Sequence, residues 1–540
     1  MPEQGQTQEQ TMLRGTAWLT AANFISRLLG ALYIIPWYMW MGKYGAQGNA
    51  LFGMGYNIYA LFLLISTAGI PVAVAKQVSK YNTLGQEATS FYLIRKILTF
   101  MLGLGAIFAV IMYLFSPALS RMSGGGDDLI PVMHSLAPAV LIFPCMSVLR
   151  GYFQGFNDLK PYAVSQICEQ VIRVIWMLLA TFYIMQIGSG NYLTAVTQST
   201  FAAFIGMLAS FGVLFYYLWR KGMLVAIFGP KPENISLSAN RLILETIREA
   251  IPFIITGAAI QIFQIIDQLT FSNVMSFMTT YSQKDLQVQF AYMTSNPSKV
   301  TMILIAVATS IAGAGIPLLT QNFVNKDFHA CARLIINTFQ MLLVVLVPAI
   351  FGALVLARPL YTIFYGLPSD LALMLFVASL VQVIFLALYS MIAPMLQALF
   401  ENRKAILYFV YGLVVKLILQ VPAIVFLEAY GPILATAIGL TVPIVLMYKQ
   451  MQRVTHFNRR LIWRQILLIL LMTAVMTLVI LPINWGLTLL LPATRLGGGL
   501  QVALIGAIGI LVYGYLALKT HAADKLLGSR AQALRDRFHL

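Results

Sequence analysis

Windows of about 20 apolar residues recur along the whole chain, and this repetition restricts the fold more than any other feature. A run of that length matches the ~30 Å hydrocarbon core of a bilayer at the rise of an α-helix. Inside hydrocarbon each backbone N–H and C=O must find a partner within the protein, so contiguous spans of this kind are helices. Fourteen windows are legible, at approximately 14–41, 51–75, 91–116, 130–156, 161–186, 193–219, 243–278, 298–325, 332–357, 369–399, 405–427, 430–450, 461–485 and 498–519. Only 10% of the 540 residues are charged, against about 25% in a soluble domain. The expected fold class is all-α: a polytopic membrane protein of about fourteen transmembrane helices, with connections too short for a soluble domain.

The formal net charge of +17 would suit a nucleic-acid partner, but its distribution describes topology instead. With both termini placed in the cytoplasm, 25 of the 35 Lys and Arg fall in cytoplasmic segments and six in external ones. That is the positive-inside pattern of a multi-pass plasma-membrane protein. Membrane lipids, the anionic inner leaflet above all, are expected partners, and nucleic acid is not. Cys145, Cys168 and Cys331 show neither disulfide nor metal spacing. The polar start, Met1 to Thr11, runs into a full-length first span without a cleavage site, so no removed signal peptide is expected.

A faint duplication runs through the chain. Gln154, Asp158, Lys160 and Arg173 recur about 243 residues later as Gln397, Glu401, Arg403 and Lys416. Gly69-Ile70-Pro71, closing the second span, recurs as Gly315-Ile316-Pro317 at the end of the eighth. Internal repeats of this size mark transporters. The expected organisation is an N-terminal lobe of six helices at 14–219, a cytoplasmic linker at 220–242 and a second, pseudo-symmetric six-helix lobe at 243–450. A further helix pair follows at 461–519, then a cytoplasmic tail at 520–540. Pro36, Gly69, Pro71, Gly315 and Pro317 are candidate hinges, against the competing reading that membrane helices simply tolerate Gly and Pro. The last pair has almost no polar residues and no counterpart in the repeat. It either faces lipid or forms a groove for something lipid-like.

Six charges fall within or at the ends of spans: Arg27, Arg150, Arg173, Lys416, Glu169 and Asp267. Each costs about 2.5–3.5 kcal/mol at mid-bilayer. Together they would cost roughly 15–20 kcal/mol, more than the about 5–15 kcal/mol that stabilises a typical domain. They must line a wet cavity, pair with each other or reach an interface. Glu169 and Arg173 are four residues apart on one helix face and can pair. Arg150 stands near the end of its span, where snorkelling is the alternative to a cavity role. Arg27 lies midway along a polar stripe with Asn23, Ser26 and Gly30. Asp267 holds a similar place in the seventh span beside Gln261, Gln264, Gln268 and Ser272, as a partner for Arg27 or a coupling-ion site.

Four cations against two acids suit an anionic cargo such as a phosphate or diphosphate, because guanidinium offers several donors to phosphate oxygens. An exporter of cationic drugs would show the opposite excess. The candidate headgroup residues are Arg27, Arg150, Arg173, Lys416, Asn23, Ser26 and Gln264, with Asp267 and Glu169 as coupling-ion or gating residues. No phosphate loop is present, and the five histidines have neither zinc nor triad spacing. Neither enzyme activity, a metal site nor a cofactor is expected. Na⁺ or H⁺ coupling, or the membrane potential, is the expected energy source.

These residues also resemble a known family. Arg150-Gly151-Tyr152-Phe153-Gln154-Gly155, followed by Pro161, Ser165-Gln166, Glu169-Gln170 and Arg173, resembles the YtgP/SpoVB-type polysaccharide-biosynthesis branch of the MOP transporter superfamily, which includes MurJ-like lipid II flippases. Ser26-Arg27-Leu28-Leu29-Gly30 is similar to the first-span Ser-Arg-x-Leu-Gly of that group. In span count and repeat layout the resemblance covers essentially the whole chain. It implies a central cavity lined by spans 1, 2, 7 and 8, and a groove at spans 13 and 14 for a lipid tail. It also implies alternating access that carries polyprenyl-diphosphate-linked peptidoglycan precursor to the outer leaflet, with cell-wall synthesis machinery as a partner. The Gram-negative pattern places a second Arg and an Asp soon after the first-span motif, and an Arg in the second span. Tyr33-Ile34-Ile35-Pro36 and an uncharged stretch from Tyr56 to Pro71 stand there in this chain. Arg150, Arg173 or Lys416 would then supply the remaining positive charge. The expected function is lipid II flipping. The alternatives are a flippase for another lipid-linked saccharide (capsule, teichoic or sporulation-related) and a cation-coupled multidrug exporter.

Overall fold

The computed structural model describes residues 25–67, 70–83, 85–156, 158–228 and 254–524, with residues 18, 22, 251, 532 and 535–537 besides. Asn23, Gly69, most of the expected linker and most of the expected tail lie outside the described residues. All regular structure among the described residues is helical. Among the described residues, eleven helical stretches are long and apolar enough to cross a bilayer. Asn402–Thr455 contains two of the windows read from the sequence, and Ile25–Ser66 takes in the greater part of two more. The first part of the seventh window lies largely outside the described residues, and its described part is not among the eleven.

The chain divides into two compact units. The first holds residues up to Asn273 together with Ser282–Gln287. Its helices are α1 (Ile34–Met41), α2 (Gly45–Thr67), α3 (Ile70–Thr83), α4 (Glu87–Leu114), α5 (Ser116–Met122), α6 (Leu129–Gly155), α7 (Leu159–Phe182), α8 (Tyr192–Arg220) and α9 (Met223–Phe228), with most of α10 (Ala259–Met278). α6 lies at the centre and packs against α2, α3, α4, α7 and α8. A helix that is apolar all round is buried, and 72% of the apolar window of α6 is. α8 begins where the Asn191 side chain accepts from the backbone N–H of Leu193 (2.9 Å) and Thr194 (3.2 Å), satisfying two donors that the first turn cannot.

The second unit contains the end of α10, the end of α11 (Gln283–Phe290), and then α12 (Asn296–Val324), α13 (Phe328–Val355), α14 (Ala357–Tyr365), α15 (Asp370–Ala398), α16 (Asn402–Leu427), α17 (Gly431–Thr455), α18 (Arg459–Leu490) and α19 (Arg495–Lys519). α18 and α19 pack on α13 and α14. Their shared core includes Val344, Val347, Met472, Met476, Ile480 and Ile505.

Close helix approach is built with small residues in both units. A Cβ on Gly206 of α8 would stand 2.6 Å from the Glu169 carbonyl oxygen of α7. A Cβ on Gly412 of α16 would fall inside the contact radius of the Gly439 carbonyl oxygen of α17. The turns are tied down in parallel ways too. Asp158, between α6 and α7, pairs with Lys221 beyond α8. Glu401, between α15 and α16, accepts from Lys404 at 3.2 Å and from Gln450 of α17 at 3.1 Å. These clamps are part-exposed, so Asp158→Asn is expected to lower stability by at most about 1 kcal/mol, read by thermal unfolding. A cost several times larger would mean that the clamp holds the turn against strain.

The candidate hinges differ from one another. The first helix is interrupted by a turn at Tyr33, beside Leu32, whose carbonyl Pro36 cannot bond because it lacks an N–H. Pro71 stands at the start of the described part of α3, whereas Pro317 lies in the interior of α12, which runs through it. Gly315 is half-buried in the same helix.

Candidate functional site

Three helices of the first unit meet around one carboxylate. Glu169 of α7 is 6% exposed, and each of its oxygens takes a different guanidinium. Arg150 of α6 donates to Oε2 at 2.8 Å, and Arg173 of α7 donates to Oε1 at 2.7 Å. Arg150 also donates through Nε to Ser165 at 3.1 Å and through Nη2 to Ser210 of α8 at 3.0 Å. Its guanidinium lies 5.5 Å from the centre of the Tyr162 ring. Arg150 therefore does not snorkel. With an acid and two hydroxyls in reach, three of its five N–H donors are satisfied inside the protein, and the desolvation of the charge is offset there. The Tyr56 hydroxyl of α2 lies beside the Arg173 guanidinium. Its Nε is buried and has no hydrogen-bond partner among the described residues. Two guanidiniums against one carboxylate leave this cluster with one positive charge in excess.

The other sequence candidates are dispersed. Arg27 lies on an exposed face of the helix over residues 25–32, and Ser26 is half-buried. Gly30 of that helix faces the Gln170 side-chain amide of α7, so the first helix packs beside the cluster. Asp267 is buried and Gln264 half-buried on α10. Lys416 belongs to the second unit, is 0% exposed, and donates to Thr436 of α17 at 2.6 Å. Among the described residues no group of three or more His, Cys, Asp or Glu could hold a metal.

Sequence reasoning did not find the partners of α10. Gln268, fully buried, donates to the Met54 carbonyl at 3.1 Å and to Ser123 Oγ at 3.0 Å, and accepts from Asn57 Nδ2 at 3.0 Å. Gln261 donates to the Asn57 carbonyl at 3.0 Å. Gln47 donates to Gln287 Oε1 at 3.0 Å, and Gln287 to the Gly125 carbonyl at 3.0 Å. Neutral amides thus knit α10 and the start of α11 to the rest of the first unit. The glutamines on one face of the seventh window were the available signal, but it did not reveal their partners.

The polysaccharide biosynthesis protein family matches this chain over residues 12–323, more than half its length. The chain belongs to that family. It is similar to the lipid II flippase MurJ of Bacillus subtilis (strain 168), 34% identical over 535 residues that cover 96% of this chain and 97% of the relative. Stage V sporulation protein B of the same organism is 29% identical over 210 residues, covering 39% of this chain and 40% of that protein. Among solved structures, a lipid II flippase MurJ in an inward closed conformation superposes with a TM-score of 0.67 at 16% identity, covering 93% of this chain and 98% of that one. An inward-facing multidrug resistance MATE transporter of the MOP superfamily gives a TM-score of 0.60 at 15% identity, covering 80% and 98%. Flippases and drug exporters share this fold, so the fold alone does not choose the cargo.

This member of the polysaccharide biosynthesis family also carries an apolar groove in its second unit. Its volume is about 670 Å³, and Val344, Pro348, Gly352, Met476, Ile505 and Tyr513 are among its lining residues. The helix pair that lacked a counterpart in the sequence repeat supplies much of the wall, with α13 and α14 opposite it.

Proposed function

We propose that this multi-pass membrane protein is a flippase that moves polyprenyl-diphosphate-linked peptidoglycan precursor, lipid II, from the inner to the outer leaflet by alternating access. The observation that carries the reading is the 34% identity to a lipid II flippase along 96% of the chain. The excess of guanidinium over carboxylate around Glu169 supports it chemically. An anionic diphosphate is attracted there, and a cationic drug is repelled. In this reading the chain crosses the plasma membrane fourteen times, spans 1–6 and 7–12 being a repeated pair in sequence although most of α10, in span 7, packs within the first unit, and it keeps both termini in the cytoplasm. Transport rather than catalysis is its work, with cell-wall synthesis enzymes as users of the product. Arg27 and Arg173 hold the diphosphate, and the polyprenyl chain lies along the groove of the second unit. Outward movement of negative charge from an inside-negative cell gains about 2.3 kcal/mol per charge per 100 mV. The potential can therefore drive release, with Asp267 as the place for any Na⁺ or H⁺ coupling.

The deciding experiment is depletion of the protein in its own cell. Lipid II is expected to accumulate in the inner leaflet, and an unrelated lipid II flippase is expected to restore growth. Normal lipid II distribution with a defect in another surface polymer would assign the cargo to a different lipid-linked saccharide. The groove has its own test. Gly352 and Gly506 line it, and a Cβ on either meets nothing within 4 Å. Gly352→Leu combined with Gly506→Leu is expected to cut translocation of full-length polyprenyl cargo several-fold while sparing a short-chain analogue. Equal loss for both chain lengths would show that the groove does not hold the tail.

A further inference from the structure

We propose that Glu169 is a resident counter-anion for Arg173, kept in place by Arg150 and exchanged for a phosphate group when cargo arrives. This rests on reading the chain as a carrier of a diphosphate lipid.

The two guanidiniums differ in how firmly they are held. Arg150 is fixed from two neighbouring helices, by Ser165 and Glu169 of α7 and by Ser210 of α8, lies near the Tyr162 ring, and its side chain is 10% exposed. Arg173 has Glu169, lies beside the Tyr56 hydroxyl, retains an unpartnered Nε, and is 21% exposed. Arg173 is the member that can turn toward a new anion. Glu169 contributes one oxygen to each arginine, so losing Arg173 leaves its other oxygen paired at 2.8 Å with Arg150. The exchange therefore strands no buried carboxylate, the outcome that makes breaking a buried pair costly.

The arrangement also serves the return of the empty carrier. A carrier must reorient without cargo, and a bare guanidinium in a low-dielectric site opposes that step. With Glu169 in place, Arg173 is compensated whether cargo is present or not. Arg150 acts through Glu169 and is a positioning residue. The price of the device is competition: Glu169 weakens cargo binding and hastens release.

Binding of undecaprenyl diphosphate to the full chain in nanodiscs tests this, with undecaprenol as the phosphate-free control. Arg173→Met is expected to bind the diphosphate roughly tenfold more weakly than wild type, the loss of one charge-assisted bond. Arg150→Met leaves Glu169 wholly to Arg173 and is expected to weaken binding several-fold. The double variant Arg150→Met, Glu169→Gln removes the competitor at unchanged net charge and is expected to bind roughly tenfold more tightly than wild type. A double variant no tighter than wild type, or Arg173→Met as tight as wild type, overturns the inference while leaving the carrier reading intact. Should the double variant not fold, wild-type affinity in Arg150→Met overturns it equally. A wild type that does not prefer the diphosphate to undecaprenol overturns the carrier reading itself.

Discussion

Glu169→Leu is expected to lower stability by about 3–5 kcal/mol, the cost of breaking a buried ion pair. That is a large share of the about 5–15 kcal/mol available to a typical domain. The reason lies in what remains. Arg150 and Arg173 each lie within 2.8 Å of a Glu169 oxygen, so without it two guanidiniums repel one another across a site from which water is largely excluded. Ser165 and Ser210 accept from Arg150 but carry no charge to compensate it. Thermal unfolding in detergent should show the loss. The triple variant Arg150→Met, Glu169→Leu, Arg173→Met should regain most of it, because apolar groups of similar volume replace a buried charge cluster at little cost or with a gain. The triple variant should nonetheless fail to support growth of a depleted strain. A stable and active triple variant would show that the cluster is dispensable structural packing.

Gly412→Val should be as damaging, for a steric reason. Its Cβ would meet the Gly439 carbonyl oxygen, and Pro443 Cδ at 2.6 Å. Backbone and a proline ring cannot move aside as a flexible side chain would, so α16 and α17 must separate. The expected cost is at or above the upper end of the about 1–3 kcal/mol typical of overpacking. Separation would also draw Thr436 away from Lys416, which it contacts at 2.6 Å in a fully buried site. Gly103→Ala is the control: a Cβ there meets nothing within 4 Å, and less freedom in the unfolded chain favours alanine by about 0.4–1 kcal/mol. Similar unfolding temperatures for the two variants would show that the α16–α17 contact is not tight in solution.

The parts of the site differ in how visible they were beforehand. Glu169 and Arg173 are four residues apart on one helix, and a helix brings such a pair together whatever surrounds it. Arg150 is nineteen positions from Glu169, on the far side of a turn. Its sequence position was equally compatible with reaching the membrane surface, and only the packing of α6 against α7 and α8 excluded that. Lys416 occupies the repeat position of Arg173, yet the position of Glu169 is taken there by Gly412. Spacing alone did not show that the second copy uses this place for helix contact and encloses its lysine against a threonine.

The sequence by itself determined the helical class, the membrane environment and the family, because apolar length and local motifs need no partner to be read. It also determined that the buried charges had to be compensated, since hydrocarbon allows no alternative. Apart from Glu169 with Arg173, one turn apart on the same helix, which groups partner the buried polar side chains was decided by the tertiary structure. Arg150 with Ser210, Gln268 with Asn57 and Lys416 with Thr436 are contacts between different helices. Such contacts depend on how far each helix is rotated and how closely it approaches its neighbour. Those quantities come from the packing of all the side chains at once, glycines such as Gly206 and Gly412 included, and from no single stretch of sequence.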